Sequence, residues 1–524
     1  MSDRSGDVVL VWLRRDLRLA DNAALDEAAG RAGGARGRLL PVFVWEPRER
    51  RTWAPGAAAR WWLARSLAAL DEALQRHGSQ LTVLRGDPVV LVAELAAALG
   101  ARAVVWAAGL EPEELADDDA VSAALRRAGV EPVLVPSGNL LLDPGGPLTQ
   151  QGRPYTVFTP YWRACLRDLG AGSGAPRGTG PATAGSPGPA GPLPPAPEQP
   201  GGPHGVPVAE LVAATEPAWA EGFGEVLNPG EAGGRARLDA FLDGPLAEYA
   251  TARDLVAETG TSRLSPHLHW GEVTAPQVWD AVAGRLAEAG LQVEAAVAPA
   301  GRDAEHAPGL SRSAGAFLRQ LGWREFGHHL LRHFPETPER PLHEEYERFP
   351  WREDQAALQA WRRGLTGYPL VDAGMRQLWT TGWLHNRARL VAASFLVKHL
   401  LLPWRLGEDW FWDTLVDADV ADNALGWQWV AGSGADAAPY FRIFNPATQG
   451  RRHDPDGAYV RRWVPELAGL ETRDIHAGVI AGPPARSPAG AGPGETYPAP
   501  IVAHGEARAR ALAAYDVMRN AAHG

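Results

Sequence analysis

Thirteen residues from Asp417 to Trp429, DADVADNALGWQW, hold three aspartates, one asparagine and two tryptophans. Carboxylates and an amide can tune the charge and protonation of a bound ring. Indoles can stack on such a ring or pass electrons to it. A packed core does not need the acids, and a solvated surface does not need the indoles. The mixture points to a site for a redox cofactor. Upstream, GWLHNRARL (382–390) presents Asn386, Arg387 and Arg389 on consecutive helical turns, and Arg389 could pair with Asp417 beside a bound ring. The same pair on an open surface would contribute well under about 1 kcal/mol. A third stretch, TGTSRLSPHLHWGE (259–272), crowds Gly, Thr, Ser and Arg ahead of a helix that Pro266 can open. Free N–H groups, hydroxyls and a guanidinium there would cradle an anion, although a capped turn alone would look the same.

Two other patterns carry less. His329 and His333 stand four apart, as a metal pair would, but no Glu-bearing HExxH pattern or third ligand goes with them, so no metal is expected. Ser265 lies near two histidines without a nucleophile elbow around it.

These segments need elements to hold them. In the first part of the chain, short β-type runs at 8–13, 39–45, 81–84, 103–106 and 131–136 alternate with helical stretches such as RWWLARSLAALDEALQRHG (60–78). That order predicts an α/β domain with a doubly wound parallel sheet over residues 1–169. No GxGxxG follows the first run, so the usual dinucleotide fingerprint is missing. Residues 170–207 are mostly Gly, Pro, Ala and Ser, and read as a disordered linker. Two further low-complexity stretches lie near 291–313 and 479–499. From 208 to 524 the apolar spacing is three-to-four, which predicts an all-α domain.

Of 21 tryptophans, eleven fall between Trp323 and Trp463, more than packing with Leu, Ile and Val would use. The single cysteine, Cys165, excludes an internal disulfide and any cysteine-built zinc site, and suits the cytoplasm. No run of eighteen apolar residues is present, so no membrane span is expected. The net charge of −11 does not exclude a nucleic-acid partner, since a local basic face can still attract phosphates.

VWLRRDLRLADNAAL (11–25), TGTSRLSPHLHWGE, WREF (323–326), TGYPLVDAGMRQLWTTGWLHNRARL (366–390) and WQWVAGSGADAAPYFRIFNPATQG (427–450) resemble the DNA photolyase/cryptochrome family. Bacterial class I cyclobutane pyrimidine dimer photolyases are the subgroup they most resemble. The likeness implies an α/β antenna domain, a helical domain holding FAD, ultraviolet-damaged DNA as partner, and a monomer. A second chromophore, folate or deazaflavin, goes with many members, but the expected polar contacts are missing from AAGLEPEEL (107–115).

Carried over by position, Tyr249 and the run Thr261, Ser262, Arg263, Leu264 and Ser265 would hold the phosphates and ribityl chain. Arg389, Asp417, Ala418 and Asp419 would lie against the flavin, and Asn423 would face its N5. Trp427, Trp404 and Trp351 would relay electrons from the surface. Trp323 and Trp429 would wedge an extruded dimer. Asn386 and Leu390 would lie in the same pocket, with Arg253, Arg324, Arg387 and Arg442 on or near the DNA-facing surface.

Three positions depart from the dimer-photolyase pattern. Gln320 stands for a glutamate that bonds the dimer, Leu390 for a common methionine, and Phe317 for a tryptophan in some members. The reading is therefore light-driven dimer repair, weak or altered. A cryptochrome-like photoreceptor is the alternative, and a FAD-binding module with neither role comes third.

Overall fold

The computed structural model describes residues 8–33, 37–170, 193–197, 205–297, 309–437, 442–476 and 497–521. Five parallel strands form one sheet: β1 (Val8–Leu13), β2 (Arg38–Trp45), β3 (Thr82–Arg85), β4 (Ala103–Ala107) and β5 (Glu131–Val135). Their order is β3-β2-β1-β4-β5, so the winding reverses at β1. Successive β1 side chains leave opposite faces. Val8, Leu10 and Trp12 pack with Leu91, Val121 and Leu125, whereas Val9, Val11 and Leu13 pack with Leu25, Trp62 and Leu67. Helices cover both faces: α1 (Ala23–Arg31), α2 (Ala57–Arg76), α3 (Pro88–Ala98) and α4 (Pro112–Arg127). A strand buried on both sides reads as an unbroken apolar run, which is why VVLVWL does not alternate.

The expected disordered linker at 170–207 lies mostly outside the described residues. Its described parts are ordered, contrary to that expectation. Leu193 is buried, Pro195 O accepts from Leu39 N, and Val206 N donates to Val83 O. A proline-rich segment lacks donors but can still offer carbonyls to a sheet. The following helix (Val208–Ala214) and Phe223 pack under the sheet with Trp61 and Leu67, so the stretch that opens the expected catalytic domain belongs to the first core.

The rest is helical. The Gly309–His333 helix, the Trp404–Thr414 helix and the Val420–Ala431 helix surround the middle of this half. Trp361, Phe395 and Leu396 fill its main core, and burial of each such side chain stabilises by roughly 1.5–3 kcal/mol. Of the stretches near 291–313 and 479–499, Val293–Val297 is helical and 309–313 opens the long helix. The remainder, apart from 291–292 and 497–499, lies outside the described residues.

A polar seam joins the two halves. Leu17 N donates to Trp270 O (3.1 Å), Leu19 N to Glu231 (2.7 Å), and Trp62 Nε1 to Glu272 (3.0 Å). Gly271 has φ +64°, and a Cβ there would strike the Arg15 carbonyl, so only glycine lets the two backbones approach. Among the described residues, no helix is long and apolar enough to cross a membrane.

Candidate cofactor and DNA site

The Val420–Ala431 helix begins at Asp419, whose Oδ1 accepts from Ala421 N (3.0 Å) and Asp422 N (3.1 Å). This cap aims the helix that carries Asn423, Trp427 and Trp429. The other carboxylate oxygen is held by His269 Nδ1 at 3.1 Å, with Arg15 at 3.6 Å and His328 at 3.7 Å. Burial opposes ionisation of Asp419. His328, His269 and Arg15 outweigh it and keep the carboxyl well below its usual range. Arg15 comes from the loop after β1 and also pairs with Glu111 (2.6 Å) and Glu114 (3.0 Å). The sheet domain therefore reaches directly to the cap of the candidate flavin helix.

Arg389 donates through Nη2 to both oxygens of Asp417 (2.9 and 2.7 Å) and through Nε to Leu384 O (2.8 Å). Ser265 Oγ donates to the same carboxylate at 2.6 Å. Three segments far apart in the chain thus meet at one acid. Ser265 is open to water although Asp417 and Ala418 behind it are buried. Asp422 is also water-accessible, yet burial and the neighbouring Asp419 push its carboxyl up to about 7, so it lines a recess. Asn423 is half-buried and donates to Glu408 O (3.3 Å). Leu264 is buried, Thr261, Ser262 and Arg263 are half-buried, and Arg263 has φ +51°. Tyr249 is buried against Phe241 and Phe317. The Arg389–Asp417 pair, the Ser265 hydroxyl and the Asp422 carboxyl at one water-accessible edge suit the polar rim of a flavin.

Trp427 is 2% exposed and lies edge-on to Phe411 (5.0 Å) and Trp361 (6.3 Å). Gly407, three residues past the buried Trp404, faces the Trp427 ring, and any side chain there would collide with it. Trp351 is half-buried against Phe349 (4.3 Å), and Arg352 N donates to Leu401 O, three residues before Trp404. Gly407 thus sets the Trp404 helix against Trp427, and the Arg352–Leu401 bond ties the Trp351 segment to the residues leading into Trp404.

The DNA-side expectations divide. Arg442 and Asn386 are exposed, and Arg253 is half-exposed beside Tyr249. Leu390 is half-buried, with Trp429, at the edge of the main core. Gln320 is half-buried and donates back to Ala316 O (3.1 Å). Arg387 is committed to Asp254 at 2.7 Å. Arg324 is a correction: it is buried, and donates to Asn139 O (2.9 Å) and Leu268 O (3.2 Å) in the domain seam. Trp323 keeps one face for a ligand at most, because Phe158 stacks on it with centroids 3.7 Å apart. Asn386, Arg387 and Arg389 share the first turn of the Asn386–Ser394 helix instead of spanning successive turns.

His329 accepts from Tyr155 N (3.1 Å) and bonds Pro144 O (3.2 Å), while His333 bonds Gly145 O, so both rings serve backbone. Sequence reasoning missed Arg15, His269, His328 and Glu408. Glu408 is fully buried, with neither carboxylate oxygen bonded, and burial raises it well above its usual range. Only its place one turn after Trp404 hinted at a role.

At the carboxyl ends of β1 and β4, where a doubly wound sheet binds ligands, Arg14 pairs with Asp118 (2.8 Å) and Arg15 with Glu111 and Glu114. Arg18 crosses to Asn139 (3.2 Å) and Gly271 O (2.9 Å). The side chains that line this crevice spend their charges on one another.

An α/β domain joined to a helical domain with a recess of this kind defines a two-domain flavoprotein. Residues 9–180 match the family model for DNA photolyase, and 317–517 the model for the FAD binding domain of DNA photolyase. A deoxyribodipyrimidine photo-lyase of Agrobacterium fabrum is 43% identical over 98% of both chains. Cryptochrome-1 of Arabidopsis thaliana is 38% identical over 98% of this chain and 71% of its own. A solved bacterial class III photolyase from Agrobacterium tumefaciens superposes with a TM-score of 0.83, at 43% identity and 99% coverage of each chain. The chain belongs to the DNA photolyase/cryptochrome family, and its cofactor is FAD.

Proposed function

We propose that this protein repairs cyclobutane pyrimidine dimers in DNA with light, as a deoxyribodipyrimidine photo-lyase. The observation that carries the reading is the meeting of Arg389, Asp417 and Ser265 next to Asp422 at a water-accessible edge. Bound FAD supplies light-driven single-electron chemistry, and the protein binds, orients and tunes it. Arg389 and Asp417 hold the ring system, the Thr261–Ser265 segment takes the phosphates, and Asn423 offers a neutral amide. Trp427, Trp404 and Trp351 bring in electrons from outside. Arg253 and Arg442 contact DNA phosphates, and Trp429 with the free face of Trp323 receives the extruded lesion.

The 43% identity with the class III enzyme supports class III over the class I expected from the sequence. The full-length likeness to Cryptochrome-1, together with Gln320, favours a photoreceptor as the second reading. A single cysteine, buried, supports a cytoplasmic setting, and we take the working form as a monomer. The test is a gel assay on a dimer-bearing oligonucleotide. Loss of lesions under blue light beyond the dark control is expected. Equal lesions in light and dark from protein loaded with FAD would exclude repair and leave the photoreceptor.

A further inference from the structure

Beside the 259–265 loop, in a pocket whose lining includes none of Asp417, Arg389 and Ser265, three guanidinium groups converge. Arg263 projects from the loop, Arg237 from the Glu231–Asp243 helix, and Arg462 from the last turn of the Ala458–Trp463 helix. Among the described residues no carboxylate pairs with any of them, whereas Arg14, Arg15, Arg50 and Arg51 of the sheet domain each have an acid within 3.2 Å. The nearby acid, Glu272, is already spent on His267, Trp62 Nε1 and Gly230 N. Arg263 Nε is buried with no hydrogen-bond partner. Burial, then Arg237, then Arg462 lower the affinity of Arg263 for its proton, so the cations feel one another. A helix C-terminus accounts for Arg462, but not for the other two.

The walls are flat. Arg263 lies over Trp383 at 4.5 Å and Arg462 over Trp463 at 5.1 Å, with Trp62 of α2 at the back. Indole faces take planar rings, and guanidinium forks take phosphate oxygens in pairs. We propose that this pocket binds a phosphorylated planar heterocycle, a free nucleotide carrying two or more phosphates, with the phosphates on Arg237, Arg263 and Arg462 and the base against an indole. Three cations exceed the single charge of each phosphate in a nucleic-acid strand, which favours a free nucleotide. Trp62 and Trp383 join the sheet domain and the helical domain across the pocket, so occupancy adds a bond across the seam.

The inference rests on the FAD reading, in which Arg263 lends the flavin's phosphates its backbone and keeps its side chain for this pocket, and it is tested on protein already loaded with FAD. Equilibrium dialysis would compare ADP (ring and charge), pyrophosphate (charge alone) and adenosine (ring alone). ADP should bind one per chain, at least about tenfold tighter than either fragment. The Arg237→Gln/Arg462→Gln variant should bind ADP at least about tenfold more weakly, with FAD content unchanged. Arg462→Lys, a milder change at an exposed site, should weaken ADP without altering FAD. Pyrophosphate binding as tightly as ADP, or ADP binding untouched in both variants, would overturn the proposal. Loss of FAD from the double variant would give these arginines to the cofactor's own diphosphate. Displacement of ADP by undamaged single-stranded oligonucleotide at equal nucleotide concentration would give the pocket to DNA.

Discussion

Arg324 separates an interior role from a DNA contact by measurement. Its guanidinium is 9% exposed and donates to the carbonyls of Asn139 and Leu268, one from each side of the domain seam. Arg324→Ala removes two charge-assisted bonds worth roughly 1.5–3 kcal/mol each, and strands two carbonyls. Water recovers part of this, so the expected loss is on the order of 3–5 kcal/mol. Arg442 is the control, since it is exposed and has no carboxylate partner among the described residues. Urea unfolding followed by circular dichroism and flavin release should show a large fall in midpoint for Arg324→Ala and none for Arg442→Ala. Binding of dimer-bearing DNA across a salt series should give the opposite ranking. Arg442→Ala should flatten the salt slope by about one, and folded Arg324→Ala should not. An unchanged unfolding midpoint with a flattened slope for Arg324→Ala would refute the interior assignment.

Gln320→Glu should raise the yield of lesions repaired per absorbed photon, because a carboxylic acid can give up a proton to developing charge whereas an amide has no titratable proton; an equal yield removes that account of the position. Trp427→Phe should slow photoreduction of the bound flavin by about tenfold or more, with FAD content retained, read by flash absorption; an unchanged rate would exclude this indole as the entry point. His329 accepts the Tyr155 N–H on Nε2, and burial lowers the ring to about 4. An unfolded histidine protonates near 6.5, so the stabilisation is full above that pH and is lost as pH falls from about 6.5 towards 4. The difference amounts to about 3 kcal/mol, and His329→Gln should flatten the acid limb of a stability-against-pH curve. A parallel limb in the variant would count against a neutral His329.

The strands were legible because each is a short apolar run between turn residues, and both faces of the sheet are covered. Asp417 and Arg389 were legible for another reason: opposite charges recurred in segments already marked by other chemistry. Arg324 was not. Its acceptors are backbone carbonyls 185 and 56 residues away, and a carbonyl carries no side-chain signature. Trp323 was half legible, because its aromatic nature shows but the Phe158 ring over it comes from another helix. Composition misled at 193–197, since proline-rich chain can still pack its one leucine and lend a carbonyl to a strand. The arginine pocket was invisible because its members are distributed over 226 positions, from Arg237 to Arg462.

The close approach at Gly271 has a consequence for anyone recombining this architecture. The Arg15 carbonyl leaves no room for a methyl group there, and the Arg15 side chain reaches the acid that starts the flavin-facing helix. A chimera that exchanges the sheet domain for that of a cousin must therefore transplant the matching glycine turn and the arginine together. A graft made within the Gly/Pro-rich sequence alone would misalign the pigment pocket before any photon arrived.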